Sequence, residues 1–309
     1  MRRPLRSRLL ALGVLGLGAL AGVARAYETD QYSNRGAAIR DSRPALDELV
    51  NRTLADIARD WRGAPDPYRF ARRVYSRLGG VYWVDRIERW AMKSPEIDKL
   101  PQSRYHSIYR GAPVYASRVN FFFGCGRTIR IDRTLLGTDK LGHFFSQGLK
   151  YYRRHLEGMG EGALLRRGAF NERWIFGQAT TSVYSNADLV ANYEGYRFYR
   201  SLFEDGLVDG KEAIVVFRDG RASVQRLFDW RDHVNDYWDE ALNPSHLSPG
   251  LQRYFARVLP RFCDEYRRAP EEFVPAGEAA LAARYHAIDM QPAPENRIDS
   301  VCGAVVAHR

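Results

Sequence analysis

The chain has 309 residues and a formal net charge of +10, from 47 Lys and Arg against 37 Asp and Glu. Five of the arginines lie in residues 1–26, which hold no acid, so the remainder carries +5. So mild an excess over so long a chain gives no case for nucleic-acid binding, and it is compatible with contact to anionic lipid or glycan surfaces.

Residues 1–26 have the three parts of a secretory signal peptide. Arg2, Arg3, Arg6 and Arg8 form a basic start, Leu9 to Ala21 is apolar, and Ala24-Arg25-Ala26 is a small-x-small cleavage site. The apolar part is shorter than the roughly 20 residues a membrane span needs. Cleavage is expected before Tyr27, with an uncleaved anchor as the alternative. No cysteine stands near that point, which argues against a lipoprotein signal. No later segment has an apolar run of spanning length. The expected location is therefore periplasmic or secreted, with no transmembrane helix in the mature chain.

Residues 27–43 are polar and read as a loose N-terminal arm. From 44 to 61 apolar side chains recur at Leu46, Leu49, Val50, Leu54, Ile57 and Trp61, which is one face of a helix. Asp66-Pro67 opens a second helix that Gly79-Gly80 ends. Val81 to Met92 reads as a third. Between Pro101 and Arg133 the pattern becomes irregular, with a short apolar run at Val119–Phe123 and weak alternation over Thr128–Ile131, which reads as irregular structure with short strands leading into the next helix. Residues 139–154 form a helix whose apolar face is Leu141, Phe144, Phe145, Gly148, Leu149 and Tyr152. Helical pattern resumes over 163–184 and again over 186–203. Glu212–Phe217 and Ala222–Phe228 flank Arg218-Asp219-Gly220-Arg221, a strand, tight turn and strand. A compact polar-aromatic motif follows at 229–249. A helix over 250–268 should kink at Pro260, and a short helix covers 277–287. The expected fold is mainly α: a single helical domain over 44–287 with a small β-hairpin insertion near 212–228, followed by a Pro-rich polar tail at 288–309.

Cys125, Cys263 and Cys302 are the three cysteines. An oxidising compartment favours one disulfide and one free thiol. Of the three pairings, Cys263–Cys302 is preferred because it would tie the tail to the last long helix. Cys125, between two glycines, is a candidate thiol nucleophile.

Two helices carry the candidate site. In Gly137-Thr138-Asp139-Lys140-Leu141-Gly142-His143, Asp139 and His143 stand four apart; in Ser185-Asn186-Ala187-Asp188 through Asn192, Asp188 and Asn192 do the same. Side chains four apart share a helix face. The simpler account is capping: Thr138 as N-cap of the first helix, and Ser185 with Asp188 as a capping box on the second. The alternative is one polar site between the helices, with Gly195 permitting their close approach. Asp139, His143, Asp188 and Asn192 would then be ligands for Zn, Mg or Mn, whose activated water hydrolyses an ester or phosphoester. Without metal, an Asp139–His143 dyad would be a general base. His106, His233 and His246 are further polar candidates. Glu194 alone is weak ground for glycosidase chemistry, which needs a carboxyl pair. Gly-x-Ser-x-Gly, P-loop and His-Glu-x-x-His motifs are missing from the sequence.

Asp139-Lys-x-x-His143-Phe, with Ser185-x-x-Asp188-Leu-Val-Ala-Asn192-x-x-Gly195 some forty residues on, resembles the YfiM-like periplasmic family of uncharacterised bacterial envelope proteins. The first helix alone is similar to the VanZ-like family. The likeness covers roughly residues 137–200. The chain departs from the lipoprotein members in lacking a lipidated cysteine, and from VanZ-like proteins in lacking transmembrane helices. The resemblance implies an envelope location and a polar pair of helices, without a known chemistry. The leading expectation is an exported envelope protein that binds a protein, glycan or lipid component of the envelope. The alternative is a metal-dependent hydrolase acting through the Asp139/His143/Asp188/Asn192 cluster.

Overall fold

The computed structural model describes residues 28–80, 84–102, 107–116 and 126–307. The leader at 1–26, its cleavage point before Tyr27, Cys125 and His106 lie outside the described residues.

The architecture is mainly α with small antiparallel β elements. Helix α1 (Arg43–Arg59) buries Leu46, Val50, Leu54 and Ile57, the face expected from the spacing. Helix α2 (Pro67–Leu78) starts at the Asp66 side chain, which accepts from the Arg69 amide. Helix α3 (Arg86–Lys93) begins later than expected, after Asp85. Strands β1 (Thr128–Ile131) and β2 (Thr134–Gly137) form a hairpin; β1 falls on the weak alternation expected to be a short strand, and β2 falls on residues the pattern did not single out. Its turn places Asp132 at a positive φ of 54°, a conformation Asp tolerates better than most residues.

Strand β2 leads directly into α4, one continuous helix made of Thr138–Gly142, a π-turn at His143–Gln147 and Gly148–Leu156. Thr138 is already inside this helix and does not cap it; its buried hydroxyl has no hydrogen-bond partner among the described residues. Helix α5 (Glu161–Asn171) also runs on into a π-turn, Glu172–Phe176. A short strand β3 (Val183–Tyr184) precedes helix α6 (Asn186–Ser201). Strands β4 (Val215–Arg218) and β5 (Arg221–Val224) form the expected hairpin. Asp219 and Gly220 both have positive φ, 50° and 71°, as the tightest two-residue turn demands. Strand β6 (His246–Leu247) pairs with β3, so the candidate His246 is a strand residue opposite Tyr184. The expected helix over 250–268 is interrupted near Pro260: α7 (Pro249–Val258) gives way to a 3₁₀ turn, and α8 (Cys263–Arg268) follows. Helices α9 (Glu278–Arg284) and α10 (Ile298–Ala307) end the described chain.

Two expectations about the ends need correction. The supposed loose arm is buried over residues 28–33, where Thr29, Asp30 and Gln31 are almost fully enclosed, and becomes largely exposed from residue 36 to 41. Asp30 accepts from the amides of Tyr32, Ser33 and Ile108, so the polar residues there are joints and not solvated side chains. The supposed polar tail contains α10, held to α8 by a Cys263–Cys302 disulfide, the preferred pairing.

The larger apolar cluster centres on the α4–α6 contact. Phe144 packs its ring against Phe145, Phe198, Trp230 and Trp238. Such aromatic pairs bury large areas and favour edge-to-face geometry. A second cluster joins Tyr32, Leu251, Phe255, Val258 and Ile298.

Candidate functional site

Glycine sets the approach of the two motif helices. A Cβ on Gly195 would fall on the Phe144 carbonyl, and one on Gly148 would fall on the Gly195 backbone. The helices therefore meet backbone to backbone. Their polar faces are brought to one place, and π-turns, which recur at functional sites, lie in both α4 and α5 beside it.

At the centre is a side chain the motif analysis passed over. Lys140 is fully buried, and its Nζ lies 2.7 Å from Asp139 Oδ2, 2.6 Å from Asp188 Oδ1 and 2.8 Å from Glu240 Oε1. Burial opposes the charge of this ammonium. The carboxylates of Asp139, Asp188, Glu240 and Glu28 outweigh it and hold the Lys140 pKa well above the ordinary value. Asp139 is anchored a second time, accepting from Thr29 Oγ1 at 2.8 Å.

His143 does not pair with Asp139 as the within-helix dyad would require. Its Nε2 faces Asp188 Oδ2 at 3.2 Å and its Nδ1 faces Asn192 Oδ1 at 3.0 Å, both on α6. The four candidate residues thus come together, in a different pairing from the one their spacing suggested. Both ring nitrogens of His143 are therefore engaged by side chains of α6. Burial works to raise Asp188, yet His143 and Lys140 prevail and its pKa is lowered. Ser185 is the N-cap the sequence indicated: its Oγ accepts from the Asp188 amide at 3.1 Å and donates to Glu240 Oε1 at 2.9 Å.

More acids crowd this centre than cations can neutralise. Glu28 and Glu172 are buried, and burial together with neighbouring carboxylates raises their pKa values well above the ordinary range. Burial also raises Glu240, against the pull of Lys140. On the α3 side, burial and the charge of Asp139 lift Glu88, and burial lifts Asp85 to about 6 although Ser146 donates to it. These upward shifts favour the neutral forms and so reduce the surplus negative charge. Lys140, Glu240, Glu28 and Glu172 are the members that sequence reasoning missed. Glu240 lies in the compact motif at 229–249, whose Trp-Asp-Glu run was the available signal; Glu28 fell in the supposed arm.

The Asp139, Asp188 and Glu240 oxygens converge on Lys140 Nζ, so the protein's own ammonium takes the place between the carboxylates that a cation would occupy. Among the described residues no group of three or more His, Cys, Asp or Glu side chains is arranged to hold a metal ion. One face of His143 opens on a small polar cleft shared with Gln147, Tyr151, Glu172 and Asn192.

A second buried ionic centre lies further along α6. Glu194 is fully enclosed; its Oε1 accepts from Arg284 Nη2 at 2.7 Å and from the Tyr285 hydroxyl at 2.9 Å. Its Oε2 faces His233 Nδ1 at 3.1 Å. This candidate histidine and the lone glutamate thus bind each other inside the core. Burial works against the Glu194 charge, but His233, Arg284 and Arg197 lower its pKa. No family model, curated protein or solved structure matches the chain.

Proposed function

We propose that this is an exported envelope protein with a binding role, in which the paired motif helices form an internal ionic keystone and not a hydrolytic centre. The envelope location rests on the leader-like residues 1–26 and on the resemblance to YfiM-like periplasmic proteins. The non-catalytic reading rests on one observation: Lys140 Nζ fills the centre of the carboxylate group while both ring nitrogens of His143 are taken by Asp188 and Asn192. A general base needs a ring nitrogen free to receive the substrate's proton. A metal ligand needs a lone pair not already committed.

Elemental analysis of the purified mature protein tests this against the metal-dependent hydrolase, with His143→Ala and Asp188→Ala alongside. The expected result is no stoichiometric Zn, Mg or Mn in any of the three, and lower stability in both variants. Near-stoichiometric metal in the wild type that is lost in both variants would overturn the reading.

A further inference from the structure

A row of arginines lies on the exposed side of α7, whose buried residues Leu251, Phe255 and Val258 belong to the second apolar cluster. Arg253 and Arg257 stand one turn apart on α7, and Arg261 continues the row into the 3₁₀ turn that follows. Successive members are separated by about 6 Å along the axis. Arg110 joins them from the facing loop, whose carbonyl accepts the Tyr254 hydroxyl. All four arginines are exposed. Among the described residues, none of them forms an ion pair, although Asp and Glu partners hold many other arginines of this chain. Burial lifts the Tyr254 phenol while Arg261, Arg257 and Arg110 pull it down, so these three cations bear on one point.

Tyr115, Arg253, Tyr254 and Arg257 line a groove of about 430 Å³, within the roughly 300–1,000 Å³ range of small-ligand clefts. Tyr115 is 81% exposed at its edge. An aromatic ring left in water beside unpaired guanidinium groups offers a flat apolar wall and charged forks together. A single phosphate would use one or two of these cations. A row of cations with a helical-turn repeat matches a chain that presents negative charge unit after unit. A groove with a ring wall suits a sugar chain better than a broad bilayer surface.

We propose that the groove between Tyr115 and the Arg253/Arg257 row binds an acidic saccharide chain through its carboxylate or phosphate groups. The proposal rests on the binding reading above and names its ligand class. Guanidinium-to-carboxylate hydrogen bonds supply the affinity and Tyr115 stacks on a sugar ring.

The test is calorimetric titration of the full mature protein with a galacturonic-acid hexamer and, in parallel, with a neutral glucose hexamer. Thermal melts check that the Arg253→Ala/Arg257→Ala double variant and Tyr115→Ala are folded. The expected result is binding of the acidic chain only, weakened by added salt. The double variant should lose at least about tenfold in affinity, and Tyr115→Ala should lose less. Equal binding of the neutral hexamer, or a folded double variant with undiminished affinity, would overturn the proposal. So would arginine-dependent capture of anionic phospholipid vesicles without saccharide binding. Binding accompanied by cleavage of the hexamer would support the groove and overturn the non-catalytic reading. Failure to bind, with metal absent, would overturn the groove and leave that reading standing.

Discussion

Two buried ionic centres sit on the same helix, α6, and they are near inverses of each other. At its start, one ammonium, Lys140, is surrounded by Asp139, Asp188 and Glu240. In its middle, one carboxylate, Glu194, is surrounded by Arg284, Arg197, His233 and Tyr285. The Glu194 centre is rich in guanidinium, which stays charged at all ordinary pH, so its acid is stabilised as an anion. The Lys140 centre is rich in acid, and burial raises the pKa values of Glu28, Glu172 and Glu240 beside it. A buried charge persists only when its partners compensate the loss of water. The same rule therefore yields one centre that holds its carboxylate as an anion and one whose buried acids Glu28, Glu172 and Glu240 are pushed toward their neutral forms.

Removing the central group from each should show this most strongly. Lys140→Met should cost about 3–5 kcal/mol of unfolding free energy, read by urea denaturation, because several carboxyls lose their shared cation. Glu194→Gln should cost a similar amount near neutral pH, and the signs of their pH dependence should differ. Glu194 has a lowered folded-state pKa, so its contribution is present above the ordinary glutamate value and is lost as pH falls. The Glu194→Gln deficit should therefore shrink in acid. The Lys140→Met deficit should grow as pH rises and the orphaned carboxyls are forced to ionise.

Asp85 gives an intermediate effect. Burial raises its folded-state pKa from 3.8 to about 6, so the native state holds a proton that the unfolded chain releases. Stability from this group falls as pH rises from about 4 to about 6 and is level above that. Asp85→Asn should flatten that decline by up to roughly 3 kcal/mol, measured as the change in urea midpoint between the two ends of the window. Gly195→Ala should cost about 1–3 kcal/mol by pushing α6 off the Phe144 carbonyl. Unlike the charged substitutions it should do so equally at all pH. The smallest change is expected for His143→Ala, about 1–2 kcal/mol, since this ring is partly exposed and it and its partner Asn192 line a cleft.

The contrast also explains what the sequence could disclose. Local signals were sound where the physics is local. Asp219-Gly220 specified its turn through positive φ, Ser185 capped α6, and the spacing of Leu46, Val50, Leu54 and Ile57 gave the buried face of α1. The candidate residues Asp139, His143, Asp188 and Asn192 were found because each pair repeats at four residues. Their true pairing was hidden, since His143 reaches across to α6 and Asp139 reaches back to Thr29. Lys140 was passed over for a related reason: an isolated lysine in a helix is ordinarily solvated. Its burial depends on Glu240, a hundred positions away. The β1–β2 hairpin was half legible: Thr128–Ile131 alternates weakly, while Thr134–Gly137 carries no alternation. Glu28 escaped notice because a polar stretch looks the same whether its hydrogen bonds go to water or to protein.

The most direct test of the account is the unfolding free energy of Lys140→Met relative to wild type, measured by urea denaturation at about pH 5 and about pH 8. If Lys140 is the counter-ion that holds the carboxyl group together, the deficit is large at both and larger at the higher pH. A deficit that is small, or the same at both, would contradict the account and return the centre to a cation from outside the chain.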